Sequence, residues 1–200
     1  MKRLFIVTAL ALNALTISAQ TDYKFTVKAG AGLASVVGSD ADSKVKIAAK
    51  LGAAYDLKLY KDLYLIPEVD FVLKGYNTAT VNFHTFDKVV HMAYLQMPVM
   101  AAYKFRLKED RSIVVKTGPY FACGLFGSKA TISNFFYSKE VGVFDSDYGF
   151  RRFDVGISAG AAFERGHYMI GLEYSRGLHR LHPDFCQYNQ AFGIVLGYRL

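Results

Sequence analysis

The chain of 200 residues carries 24 Lys and Arg against 17 Asp and Glu, a formal charge of +7, and an apolar share of 52% that includes 16 Phe and 14 Tyr. This is the size of one domain and is too apolar for a disordered chain. Cations scattered singly exclude a nucleic-acid footprint, and downstream of the N-terminus no run reaches the roughly 18 to 20 apolar residues of a membrane helix.

Residues 1–20 open with Lys2 and Arg3, continue with the largely apolar run from Leu4 to Leu12, and end in Ser18, Ala19 and Gln20. That is the layout of a secretory signal peptide, with cleavage expected after Ala19 or Gln20. Removing its two cations lowers the formal charge from +7 to +5. Residues 21–200 then form the mature domain.

From there the signal is alternation with a period of two. Residues 23–34 set Tyr23, Phe25, Val27 and Leu33 against Lys24, Thr26, Lys28, Gly30 and Gly32. Residues 44–57 set Val45, Ile47, Leu51, Tyr55 and Leu57 against Lys44, Lys46, Lys50 and Asp56. Looser alternation covers 63–76, 91–106 and 112–126. Residues 151–164 are regular again, with Phe153, Val155, Ile157 and Phe163 opposing Arg152, Asp154, Ser158 and Glu164. Segments 167–178 and 188–200 complete eight strands. The connections 58–62, 107–110 and 165–166 are short, whereas 35–43, 77–90, 127–150 and 179–187 are long. This pattern predicts an all-β fold, an eight-stranded antiparallel up-and-down transmembrane β-barrel in the outer membrane of a Gram-negative bacterium, with tight turns and termini in the periplasm.

The two faces decide which side meets lipid. The charged face carries Gly, Ala and Ser between its charges, and small residues suit a narrow lumen. The apolar face, with its Phe, Tyr, Leu, Ile and Val, then faces outward. A soluble lipocalin-like barrel with an apolar cup for a ligand is the alternative. Tyr23, Tyr55, Tyr103, Tyr168 and Tyr198 fall at strand ends, as an interfacial girdle requires. Pro67, Pro98 and Pro119 lie inside strands of a sheet that has no edge, so they are expected at bulges or near rims.

Several strand motifs carry a family resemblance. They are Tyr94-Leu95-Gln96-Met97-Pro98, Thr117-Gly118-Pro119-Tyr120, Asp154 with Gly156 and Gly160, Tyr174 to Leu178, and the ending from Asn189 to Leu200. With these the whole mature chain resembles the PorT-like outer-membrane β-barrels of Bacteroidota. The resemblance implies the barrel fold and, by analogy with PorT, a link to secretion or envelope assembly.

Few residues fall in chemically specific patterns. Gly156-Ile157-Ser158-Ala159-Gly160 matches the hydrolase pattern G-x-S-x-G, but a nucleophile elbow needs a strand-to-helix turn and Ser158 lies mid-strand facing the lumen. Inward positions carry ten cations, Lys24, Lys28, Lys44, Lys46, Lys50, Lys74, Lys104, Lys116, Arg152 and Arg199. Six anions oppose them: Asp56, Glu68, Asp70, Asp154, Glu164 and Glu173. An eight-stranded lumen is just wide enough to be filled, so these should interlock as ion pairs. Glu68 and Asp70 would otherwise suit an acid–base pair. His179, His182, Asp184 and Cys186 share one loop and are all possible metal ligands, but no Cys-x-x-Cys or His-Glu-x-x-His frame accompanies them. Neither a metal nor a cofactor is expected, and no catalytic set. Cys123 should face lipid, and it reaches Cys186 for a disulfide only if it lies near the outer rim.

The longest loop, 127–150, holds Phe135, Phe136, Tyr137, Phe144, Tyr148 and Phe150. Six aromatics in an exposed loop on a rigid scaffold point to a contact with a protein, glycan or lipid partner. The bland alternative is a hairpin that buries them on itself. The expectation is therefore a monomeric structural or surface-binding barrel in outer-membrane lipid, with a membrane-embedded lipid or peptide enzyme as the alternative.

Overall fold

The computed structural model describes residues 24–38, 43–78, 89–107, 110–127, 129–134, 137–142, 144, 151–180, 186 and 188–200. The leader 1–20, Tyr23, Phe135, Phe136, Tyr148, Phe150, His182 and Asp184 lie outside them. Twelve strands are formed among the described residues: β1 (Phe25–Val37), β2 (Ser43–Lys44), β3 (Lys46–Tyr55), β4 (Leu57–Tyr60), β5 (Leu63–Thr78), β6 (Val89–Arg106), β7 (Arg111–Gly127), β8 (Lys129–Asn134), β9 (Tyr137–Gly142), β10 (Phe153–Arg165), β11 (Tyr168–Gly177) and β12 (Tyr188–Arg199).

Eight of these close into one antiparallel barrel. The circuit runs β1–β3–β5–β6–β7–β10–β11–β12 and returns to β1 through the pairs Thr26 with Arg199 to Val37 with Tyr188. The short strands β2 and β4 continue the β3 segment at its two ends, both against β5. Closure pairs the last barrel strand with the first, which is what a sheet needs inside hydrocarbon. At the tight-turn end, Lys61, Asp110 and Gly166 take left-handed backbone angles, with φ of 46°, 56° and 53°. The glycine does so freely, while Lys61 and Asp110 accept the cost of a left-handed backbone in a tight turn.

The alternation read from the sequence becomes an inside and an outside. Ile47, Leu51, Phe121, Ile157, Leu172, Ile194 and Leu196 are exposed on the outer wall, whereas Lys28, Glu68, Asp70, Lys104, Lys116 and Asp154 are buried in the lumen. This overturns the soluble-barrel alternative, because the apolar face is turned out and the charges in. Tyr103, Tyr168 and Tyr198 are exposed near the short-turn rim, with Tyr168 and Tyr198 in edge contact at 5.7 Å.

Two expectations need correction. The lumen is not lined by small residues all round: β5, β6 and β7 send in Tyr64, Ile66, Val72, Met92, Tyr94, Met100, Val114 and Tyr120. The glycines and alanines of β1, β3, β10, β11 and β12 face this bulky wall and make room for it. The prolines, too, sit elsewhere than at bulges or rims. Asp56 separates β3 from β4 opposite Ile66–Pro67, yet the pairs Ala54–Glu68 and Leu57–Leu65 keep one register across the break. Pairing between β5 and β6 is likewise skipped beside Pro98, and between β6 and β7 beside Pro119, again without a shift. Each proline removes one donor and costs local ladder pairing, while its long neighbours hold the register. Gly118 lies in the same region, and a Cβ there would collide with the Val99 carbonyl, so glycine allows the two strands to stay close. The one register shift between β6 and β7 falls at Ala93/Tyr94.

Candidate functional site

The lumen is filled in layers. Nearest the short turns, Lys104 Nζ donates to Asp56 at 2.5 Å and to Glu164 at 3.1 Å. Glu164 also accepts from Ser112 at 2.9 Å and meets Arg199 at 3.2 Å, and Lys104 lies 5.0 Å from the centre of the Tyr64 ring.

The middle layer joins five strands. Lys28 of β1 binds Glu68 of β5 and donates to Asp70 at 3.1 Å. Lys116 of β7 donates to Glu68 and to Glu173 of β11, both at 2.6 Å. Lys50 of β3 binds Glu173 and lies 3.6 Å from Asp70. Three ammonium groups thus meet three carboxylates in a largely buried place. Removing either sign would leave charge buried at a cost of several kcal/mol, so the cluster ties opposite walls together. Oxygens of Glu68, Asp70 and Glu173 come within 4.8 Å of one another, a spacing that would suit an ion. The lysines already neutralise them, so the donor set fits a metal poorly. Glu68 and Asp70 are engaged by the same lysines, which favours a structural over an acid–base role.

Above lies an aromatic layer. Lys74 donates to Gln96 at 2.9 Å and sits over the rings of Tyr120 and Tyr94, at 5.3 and 5.7 Å. Tyr120 donates to Asp154 at 3.1 Å, and Asn189 donates to the same oxygen at 2.9 Å. Gly156 packs beneath Tyr120, where a Cβ would stand 2.5 Å from the ring. Phe144 closes the long-loop end. Its ring covers Gly124, meets Tyr94 edge-on at 5.8 Å and lies under the Arg152 guanidinium at 5.5 Å.

Six cations, Lys28, Lys50, Lys74, Lys104, Lys116 and Arg199, therefore balance the six anions. Of the other four expected inward cations, Lys24 and Lys46 are half-buried near strand ends, Arg152 is exposed, and the side chain of Lys44 lies outside the described residues. Between the middle and aromatic layers a cavity of about 60 Å³ remains, bordered by Lys50, Glu68, Lys74 and Gln96, with room for a few waters. Planar-bilayer recordings are accordingly expected to show no stable open channel. Reproducible conductance that admits sugars would show that the layers part.

Ser158 is buried in the lumen beside Gly118 and Ser175, and its carbonyl accepts from the Thr117 hydroxyl at 3.1 Å. It sits mid-strand, as expected, without the turn an elbow requires. His179 Nε2 meets Arg151 at 2.7 Å, while its loop partners His182 and Asp184 are outside the described residues. Cys123 and Cys186 are not joined by a disulfide. Of the loop aromatics, Phe144 is turned onto the lumen, and the loop's first half forms the β8–β9 hairpin, a two-stranded sheet separate from the barrel. Sequence spacing could not single out Phe144 or the Tyr94–Tyr120 layer, since inward aromatics share no local pattern with their partners.

Solved structures with this architecture include Neisserial surface protein A, at 11% identity and a TM-score of 0.53, with 88% of this chain and 97% of that one covered. The outer membrane enzyme PagL matches at 11% identity and a TM-score of 0.55, with 88% and 99% covered. At such identities the likeness is one of fold. No curated protein matches the sequence. Residues 8–182, however, match the family described as outer membrane protein beta-barrel domain, and with its charged lumen and apolar outer wall the chain belongs to that family of outer-membrane barrels.

Proposed function

We propose that this barrel is a monomeric structural or surface-binding protein of the PorT-like group of Bacteroidota, exported by a cleaved signal peptide, and that it works through its extracellular loops, chiefly 127–150. The observation that carries this reading is the β8–β9 hairpin, a two-stranded element paired outside the barrel sheet and placed in the longest loop. A rigid frame that presents such an element needs no reactive group, and binding by loops on a fixed scaffold is common. The charge-balanced, nearly full lumen supports the same reading against transport. The PorT resemblance adds secretion or envelope assembly as the setting.

Deleting residues 129–142 is expected to leave heat-modifiable migration intact, because the barrel's own pairs are untouched. The same deletion should abolish capture of the protein, glycan or lipid partner in pull-downs from outer membranes. Identical captures with and without the hairpin would overturn the assignment to this loop. Turnover of outer-membrane lipid by the purified barrel, lost on Ser158→Ala, would replace it with an enzymatic one.

A further inference from the structure

The outer wall is interrupted by one charge. Among the described outward positions between the two rims, Arg176 of β11 is the one ionised residue. It shares the outward phase of Ile170 and Leu172 and is exposed. Arg176 pairs with Ile157 of β10 on one side and with Gln190 of β12 on the other, and Gln190 pairs in turn with Ser35 of β1. Side chains directly opposite on one face stand about 5 Å apart at Cβ. A guanidinium, an amide and a hydroxyl, all able to donate, therefore lie side by side on three adjacent strands. Among the described residues none forms a hydrogen bond or ion pair with Arg176.

The depth of this row follows from the register. Arg176 and Gln190 lie eight residues along their strands from Tyr168 and Tyr198, the pair at the short-turn rim. At about 3.3 Å per residue and a tilt of about 40°, the row stands about 20 Å above that rim, against an apolar band about 25 Å tall. Tyr174 and Tyr188, half-buried and outward, flank the row from below and above, as tyrosines do at an interface. On β10, Val155 and Phe153 continue the exposed apolar wall above it. The guanidinium is thus anchored just inside the hydrocarbon on the long-loop side, and its long stem lets it reach up to the headgroups. A soluble anion would have to enter hydrocarbon to meet it, whereas a lipid phosphate is already held at that depth. The planar fork of arginine matches phosphate oxygens two at a time.

We propose that Arg176, Gln190 and Ser35 form a docking site on the outer wall for the phosphate of an outer-leaflet lipid headgroup, with Arg176 as its charged ligand. The site is separate from the lumen and from loop 127–150, so it stands or falls apart from the binding role of that loop. The test is NMR of the isotope-labelled barrel in phosphatidylcholine nanodiscs doped with increasing phosphatidic acid. The Arg176 Nε–H and Gln190 side-chain amide signals should shift saturably with the phosphatidic acid fraction. Arg176→Gln, read at Gln190, should weaken the response by about tenfold, the loss of a forked charged pair. Gln190→Leu, read at Arg176, should weaken it less, and it serves alone if Arg176→Gln does not fold. Arg165→Gln, at the opposite end of β10, should leave it unchanged. Heat-modifiable migration verifies folding of each variant. Urea unfolding gives a second readout: Arg176→Leu should gain less stability over the native barrel in vesicles containing phosphatidic acid than in pure phosphatidylcholine, because the lipid binds only the native side chain. Shifts that do not saturate, a response unchanged in the Arg176 and Gln190 variants, or an equal gain in both lipids would overturn the proposal. Saturable shifts with inorganic phosphate in undoped discs would overturn it by assigning the row to a soluble anion. Two barrels per disc, reduced to one by Arg176→Gln, would assign it to a second copy of the chain.

Discussion

Replacing Lys116 with Met is expected to lower the unfolding free energy of the barrel by about 3–5 kcal/mol, the cost of breaking a buried ion pair from one side. Lys116 is buried and reaches both Glu68 and Glu173 at 2.6 Å. Without it, three carboxylates are left with Lys28 and Lys50, so one negative charge stays uncompensated where water is scarce. Met fills nearly the same length, so lost packing contributes little. Combining Lys116→Met with Glu173→Gln removes the stranded charge, and most of the loss should return. The chain has no Trp, so unfolding in urea is best followed by gel mobility and circular dichroism on barrels refolded into vesicles. A loss below about 1 kcal/mol would mean that water enters and screens the cluster as it does at a surface. A full loss that Glu173→Gln fails to relieve would assign the effect to packing.

The same cluster shows where sequence reading stops. Period-two alternation is local, and it makes strand positions and their two faces legible in Lys44 to Leu57 or Arg151 to Glu164 without any partner. The long loops and tight turns then imply closure. Which lysine meets which carboxylate depends on how neighbouring strands are staggered around the circuit, and Lys28, Glu68, Lys116 and Glu173 come from four strands far apart in sequence. Charge balance escapes the sequence for a related reason: alternation assigns Arg152 and Lys46 to the inner face, but at strand ends an inward side chain already reaches water. A closed sheet has no edge for a missing donor and so points the prolines to bulges or rims, whereas strands of 16 to 18 residues hold their register across a skipped pair. Phe144 was legible only as one aromatic among six, since a loop residue's direction is set by tertiary contacts with Gly124 and Tyr94.

Ile194→Arg is expected to cost about 2–4 kcal/mol in a lipid bilayer, and Tyr198→Arg about 0–1 kcal/mol, although the two residues sit on the same strand and face. Ile194 lies midway along β12, is 52% exposed, and pairs with Ala31 and Leu172 on the flanking strands. In the barrel it touches hydrocarbon, so a guanidinium there must leave water or drag water in. Tyr198, one residue from the strand's end, stands at the short-turn rim beside Tyr168 and His167, where an arginine reaches the headgroups. The difference between the two sites measures depth in the bilayer, and neither substitution disturbs the lumen. Urea unfolding in vesicles should separate the two variants, and the gap should narrow in thin detergent micelles. Equal costs at both positions, or a water-soluble monomer without detergent, would contradict an outer wall built to face lipid.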